Sequence, residues 1–277
     1  MFKTLSAVAV AALTLVGGAN AATMRTIDLF STNQATVSDN TVNGFVRSSQ
    51  VGAAGDVTIL GGFREMIADL KSNGSANVTQ GSRRIDMTVD GGVMDFSTST
   101  SSSGTGIVRW DGATQSTPGN DTTAAQGIDV IGLQILGVGL DLGDVNTDSF
   151  EIQTVFSDGG FKFTIEAYTD ANNWSKVEIT AIEHLVLTTT YVPLSAFLAC
   201  GYMDAEVTVT CANGNNFLNA VNFDNLGALQ VIIDPTGTRT SLDLTLNQIL
   251  VVPEPTGIAL VGLALLGAGL ASRRRKA

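Results

Sequence analysis

The chain has 277 residues, 44% of them hydrophobic and 15% charged, which is apolar enough to bury a substantial core and too apolar for a disordered chain. Aromatic residues make up only 6% against 30 glycines, and Val, Ile, Thr and Ser recur in short runs, a balance that favours strands and tight turns over a helical bundle. The formal net charge is −11; setting aside residues 1–21 and 253–277 removes five basic residues and Glu254, which leaves 10 basic against 25 acidic residues, or −15. A surface of that sign repels polyanions and excludes a nucleic-acid partner.

In chain order, residues 1–21 begin with Lys3, continue through an apolar run from Leu5 to Val16, and end in Ala19-Asn20-Ala21. These are the three regions of a secretory signal in their proper order. Signal peptidase is expected to cut after Ala21, so that the mature chain begins at Ala22.

Strand-like segments follow at fairly regular spacing: 57–60, 76–79, 84–89, 92–96, 106–110, 128–133, 150–156, 161–168, 176–180, 185–189, 206–210, 228–233 and 241–249. Within one of them, Ile85, Met87 and Val89 alternate with Arg84, Asp86 and Thr88, which places one face in a core and one in water, as in antiparallel sheets. Asp90-Gly91-Gly92, Asp111-Gly112, Ser157-Asp158-Gly159-Gly160 and Pro235-Thr236-Gly237 are turn sequences set between apolar runs. Residues 97–104 and 114–126 read as polar loops too short for a domain linker. The expected fold is all-β, a single antiparallel β-sandwich or jelly roll over residues 22–252.

Within that domain, Asp144, Asn146 and Asp148 put oxygen-bearing side chains at alternate positions, the opening of a calcium loop. Ser149 stands where such a loop needs Gly, and Val155 where it needs a bidentate carboxylate, so the alternative is a solvated turn. No other cofactor is suggested. Trp110 and Trp174, with Tyr168, would form a sugar-stacking platform if exposed on one sheet face; the alternative is burial in the sandwich. Cys200 and Cys211 are the only cysteines, and in an oxidising compartment they are expected to bridge. The single His184 cannot build a zinc site alone. No nucleophile elbow, phosphate-binding loop or zinc-protease helix motif occurs, so no catalytic residues are assigned and the chain is read as a non-enzyme.

After the last strand-like segment come Pro253-Glu254-Pro255, an uncharged apolar stretch from Gly257 to Ala271, and Arg273-Arg274-Arg275-Lys276. The stretch would span roughly 22 Å as a helix, short of a hydrocarbon core of about 30 Å but able to insert with local thinning. The basic cluster is expected to stay cytoplasmic, which places residues 22–252 across the inner membrane. Pro-x-Pro holds an extended, accessible peptide beside that membrane. This ordered triplet over residues 253–277 resembles the PEP-CTERM sorting signal. The resemblance implies a Gram-negative host, recognition and cleavage by an exosortase, and delivery to the cell surface or the exopolysaccharide matrix.

The domain is also similar to a group of PEP-CTERM exported proteins through Gly61-Gly62-Phe63-Arg64-Glu65, Val108-Arg109-Trp110-Asp111-Gly112 and Gly227-Ala228-Leu229. That likeness brings no assigned activity. The expectation is a non-catalytic structural or binding protein, with a carbohydrate-binding module of the matrix as the alternative and a secreted glycan-active hydrolase behind it.

Overall fold

The computed structural model describes residues 24–74, 83–113, 127–181 and 183–254. Their strands are β1 (Arg25–Asp28), β2 (Gln34–Asp39), β3 (Val46–Arg47), β4 (Val51–Gly52), β5 (Phe63–Ser72), β6 (Ile85–Asp90), β7 (Val93–Thr98) and β8 (Ser103–Trp110). There follow β9 (Asp148–Ser157), β10 (Phe161–Tyr168), β11 (Trp174–Ala181), β12 (Thr188–Pro193), β13 (Val207–Cys211), β14 (Ala228–Ile233) and β15 (Asp243–Pro253). They form two antiparallel sheets. The seven-stranded sheet runs β12-β9-β15-β7-β6-β2, with β1 added beside β15; the eight-stranded sheet runs β13-β11-β10-β14-β8-β5-β3, with β4 added to β5.

Alternating side chains from the two inner faces meet to make a β-sandwich. Met66, Val108, Ile165 and Val231 point in from the larger sheet, and Met87, Phe96, Ile152 and Leu246 from the smaller. Gly106 shows how closely the sheets approach: a Cβ there would lie 2.6 Å from the Phe96 ring and 3.1 Å from the Met87 sulfur. Each large side chain fully buried here contributes about 1.5–3 kcal/mol. One end of the core is closed by Phe150, Phe197 and Phe223, whose ring centroids lie 5.3–6.1 Å apart.

The longest strand, β15, organises the smaller sheet. Along one edge it pairs with β9 from Leu244 to Pro253. Along the other it pairs first with β7, through Asp243 to Leu246, and then with β1, where Thr26 faces Leu250 and Arg25 faces Val251. The first and last described strands are therefore neighbours, and both described termini leave from one end of the sandwich.

Several expectations are corrected. Residues 57–60 hold an isolated bridge between Ile59 and Asp28 and the start of a 3-10 turn at Leu60, and 128–133 form turns in which the Gly132 and Leu133 amides bond to the Asp129 and Gly227 carbonyls rather than to a ladder. The loop expected over 97–104 shrinks to residues 99–102, because β7 and β8 extend into it. The last strand runs through Pro253, one residue into the segment assigned to the tail. Segments 76–79 and 114–126 lie outside the described residues.

Candidate functional site

Cross-strand register brings a row of polar side chains onto the outer face of the eight-stranded sheet. Glu65 of β5 faces Arg109 of β8, which faces Gln230 of β14, then Glu166 of β10 and Lys176 of β11. Directly opposed residues share a face, so the five lie side by side across five strands. Arg109 Nε donates to Gln230 Oε1 at 2.8 Å, Gln230 Nε2 donates to Glu166 Oε2, and the Tyr168 hydroxyl donates to the same carboxylate oxygen at 2.7 Å. At the far end Glu65 lies 3.8 Å from the Arg109 guanidinium and 3.7 Å from that of Arg47.

The row grades from buried to accessible. Glu65 and Arg109 are 2% and 0% exposed, whereas Glu166, Tyr168, Trp174 and Lys176 are half-buried. Burial lowers the proton affinity of Arg109, with Glu65 opposing; burial and then the Glu166 carboxylate push the Tyr168 phenol up, so it remains a donor. Tyr168 and Trp174 are direct cross-strand partners with ring centroids 6.2 Å apart and planes tilted by 38°. Two aromatic rings flanked by a carboxylate and an ammonium group are the kind of surface that stacks on a sugar ring and bonds its hydroxyls.

Trp110 takes no part in that surface, which corrects the expected Trp110–Trp174 platform. It points into the core with 0% exposure, and its Nε1 donates to Asp28 Oδ2 at 2.9 Å. Its partner on the outer face is the preceding residue, Arg109, because successive side chains in a strand point opposite ways. The same alternation separates Arg64, inside, from Glu65, outside. The segments Gly61–Glu65 and Val108–Gly112 thus supply the outer Glu65–Arg109 pair and, with Asp28 of β1, the inner Asp28–Arg64–Trp110 network. Their glycines serve backbone approach: Gly112 has φ +80°, and a Cβ there would lie 2.0 Å from the Gly132 carbonyl oxygen.

Asp144, Asn146 and Asp148 form a turn whose oxygens accept its own amides. Asp144 Oδ1 accepts from the Asn146 backbone at 2.8 Å, and Asp148 Oδ2 accepts from the Asp144 backbone at 2.8 Å. Among the described residues no group of three or more His, Cys, Asp or Glu side chains is arranged to hold a metal ion. Cys200 and Cys211 are joined in a disulfide with Cα atoms 5.3 Å apart, tying the crossover after β12 to the end of β13. His184 pairs through its backbone with Ser157.

Two residues of the Pro253-Glu254-Pro255 segment are held by the fold. Pro253 faces Asp148 across β9, and Glu254 donates its backbone N–H to the Thr147 carbonyl at 2.6 Å. Pro255, Arg273, Arg274, Arg275 and Lys276, like Ala19, Ala21 and Ala22, lie outside the described residues. Among those described, no helix is long and apolar enough to cross a membrane.

The polar row was not legible from spacing alone, since it joins residues up to 165 positions apart. The only local signal is the alternation Lys162, Thr164, Glu166, Tyr168 in β10, which marks a face that is not simply core. No protein-family model matches the chain, and no curated protein matches it.

Proposed function

We propose that this is an exported protein of a Gram-negative envelope, sorted by its C-terminal segment to the cell surface or the exopolysaccharide matrix, where the β-sandwich has a structural or binding role. The observation that carries it is the order Pro253-Glu254-Pro255, apolar stretch, basic cluster, placed directly after the final strand of a folded domain. The Cys200–Cys211 bridge supports an oxidising compartment, and the strongly acidic domain suits solvation outside the cell. Signal peptidase and an exosortase are the processing partners in this scheme, with the inner membrane holding the chain before cleavage.

The test is intact mass and terminal peptide mapping of the protein recovered from the native host's surface or medium. A chain beginning at Ala22 and ending near Pro253–Pro255 is the expected result. Persistence of Arg273 to Lys276 in the membrane fraction would make this an anchored periplasmic protein and remove the exosortase.

A second reading, a carbohydrate-binding module, is favoured by the half-buried Tyr168–Trp174 pair beside Glu166 and Lys176. Matrix exopolysaccharide is its ligand class. Retention of the domain on immobilised host exopolysaccharide, lost in Trp174→Ala and kept in Trp174→Phe, is the expected pattern; equal retention of all three would end it.

A further inference from the structure

We propose that the end of the sandwich from which β15 exits is a membrane-contacting surface, resting on the headgroup layer of a phospholipid bilayer while the chain is still anchored. This rests on residues 257–271 being membrane-inserted, and it adds a role for the folded domain itself. Register identifies what lies at that end. Pro253 is paired with Asp148 and Pro193 with Ser149 in the smaller sheet; Tyr168 is paired with Trp174 and with Ala228, and Ser175 with Cys211, in the larger. The segments crossing between these strand ends, 127–147 and 212–227, cap this end. They bond to each other through Leu140 and Leu226, and to the strand ends through Tyr168 and Ser175.

These caps carry large apolar side chains in water. Ile131, Ile135, Leu136 and Val138 are 50%, 78%, 101% and 67% exposed, and Phe217 and Leu218 are 70% and 72% exposed. Leu185, Val186 and Leu187 at the opposite end are just as exposed, at 66%, 72% and 62%, so apolar exposure alone does not single out this end; what distinguishes it is that the last strand leaves from it toward residues 257–271. Leu136 is the most telling: it sits at φ +55° at the tip of the small hairpin closed by Ile135 and Val138, a backbone region that favours Gly or Asn. Neither local conformation nor the core calls for leucine at that point.

Distance leaves this end little freedom. Glu254 is fixed to Thr147, and the three residues from there to Gly257 reach at most about 10 Å. The headgroup region on one side of a bilayer is roughly 5–8 Å deep. A domain tethered so closely by a membrane-inserted segment must present this end to the lipid, and apolar side chains at the headgroup boundary gain by burial there. Asp129, Asp141 and Asp224 on the same caps argue for zwitterionic rather than anionic lipid.

The experiment uses residues 22–277, the chain before removal of its C-terminal segment, reconstituted in phosphatidylcholine vesicles, with an environment-sensitive fluorophore on a cysteine introduced by Leu136→Cys, Leu218→Cys or, at the opposite end, Val186→Cys. Val186 is 72% exposed and so controls for apolar character alone. Flotation establishes anchoring, and nitroxide-headgroup lipid reads contact. The expected result is a blue shift and quenching at 136 and 218, with neither at 186. In a floating protein, a probe at 136 that behaves as in water overturns the proposal and leaves the anchor standing; failure to float removes the anchor and the proposal with it. Equal quenching at 136 and 186 means unoriented adsorption and also overturns it. A probe at 136 shielded from nitroxide lipid and cross-linking to its counterpart would assign the surface to a second copy instead. Leu136→Asn, which suits the positive φ, should fold normally and reduce the shift of a probe at 218.

Discussion

Arg64 reaches Asp28 across the interior of the sandwich, Nη1 to Oδ1 at 2.8 Å, and neither side chain has any exposed surface. The pair is fully furnished. Asp28 also accepts from Trp110 Nε1 and from the Phe30 amide, while Arg64 donates to Gln34 Oε1 at 2.8 Å and to the Thr32 carbonyl at 2.5 Å. The Phe30 ring lies 5.6 Å from the guanidinium carbon. This network fastens β1 and the segment leading to β2 onto the larger sheet, so it holds the two sheets in register.

Removing the cation leaves a carboxylate buried among apolar groups. Arg64→Met is expected to destabilise the fold by about 3–5 kcal/mol, read as a lower midpoint in urea unfolding at unchanged slope. Trp110→Phe keeps an aromatic ring but removes the indole donor and part of the buried volume, with the lost hydrogen bond alone costing about 1–3 kcal/mol. A Trp110→Phe cost equal to that of Arg64→Met would show that indole packing, not charge, dominates here.

The fold class was legible because most strands bury one face. Segments such as 161–168 and 228–233 were bounded correctly, where β-branched and aromatic residues run between turn sequences. β5 was not identified as a strand because both of its faces are covered: Arg64, Glu65 and Asp69 are buried alongside Met66, Ile67 and Leu70, which erases the apolar–polar alternation. The 128–133 segment fails for the opposite reason, since its apolar residues cap an end of the core instead of entering a ladder. For Trp110 the sequence leaves both burial and exposure open, because a lone strand pattern gives two faces without saying which is the core; Arg109 and Trp110 take opposite faces by strand alternation, and only the packing of β8 against the other sheet puts Trp110 inside. The reading of residues 1–21 and 253–277 rests on residue order alone.

The Cys200–Cys211 bridge closes a short loop, with a sequence separation of 11, and Cys211 is buried beneath the Phe197 carbonyl. Reduction frees the crossover between the two sheets at their common edge. The paired Cys200→Ala, Cys211→Ala variant is expected to lose about 2–3 kcal/mol, and dithiothreitol should lower the melting point of the natural chain while leaving the variant unchanged. A variant that melts with the oxidised protein would mean that the 3-10 turn over Leu194–Leu198 and Phe packing alone secure the crossover.

At the opposite end of the smaller sheet, Asp243 is exposed, yet partial desolvation and then the Asp158 and Asp95 carboxylates push its pKa up. Its pKa in the folded protein exceeds the unfolded value, so folding favours the protonated form. Its favourable contribution is therefore present below the unfolded value of about 3.9 and is lost as pH rises through the folded value. Asp243→Asn should raise the melting point at neutral pH and give no gain near pH 3, about one unit below the ordinary aspartate value. A constant gain at both pH values would assign the effect to something other than charge.

The Asp144–Asp148 turn offers two outcomes with different physical meanings. Its carboxylates already accept backbone amides, and Gly143 lies so close that a Cβ there would be 2.4 Å from Asp148 Oδ2. Binding calcium would require these oxygens to leave their amide donors and turn outward, at the cost of several hydrogen bonds to a charged group. Exchange of EDTA for millimolar calcium is accordingly expected to leave the unfolding midpoint unchanged, whereas Asp148→Ala, which strips the turn of its acceptor, should cost about 1–3 kcal/mol. Because Asp148 also pairs with Pro253, that variant should loosen the end of β15 first, visible as faster amide exchange at Val252 and Glu254 before any change in the core. A calcium-induced rise in midpoint abolished by Asp144→Asn would instead show that the turn opens and that the ion, held by Asp144, Asn146 and Asp148, stabilises the junction where the last strand ends.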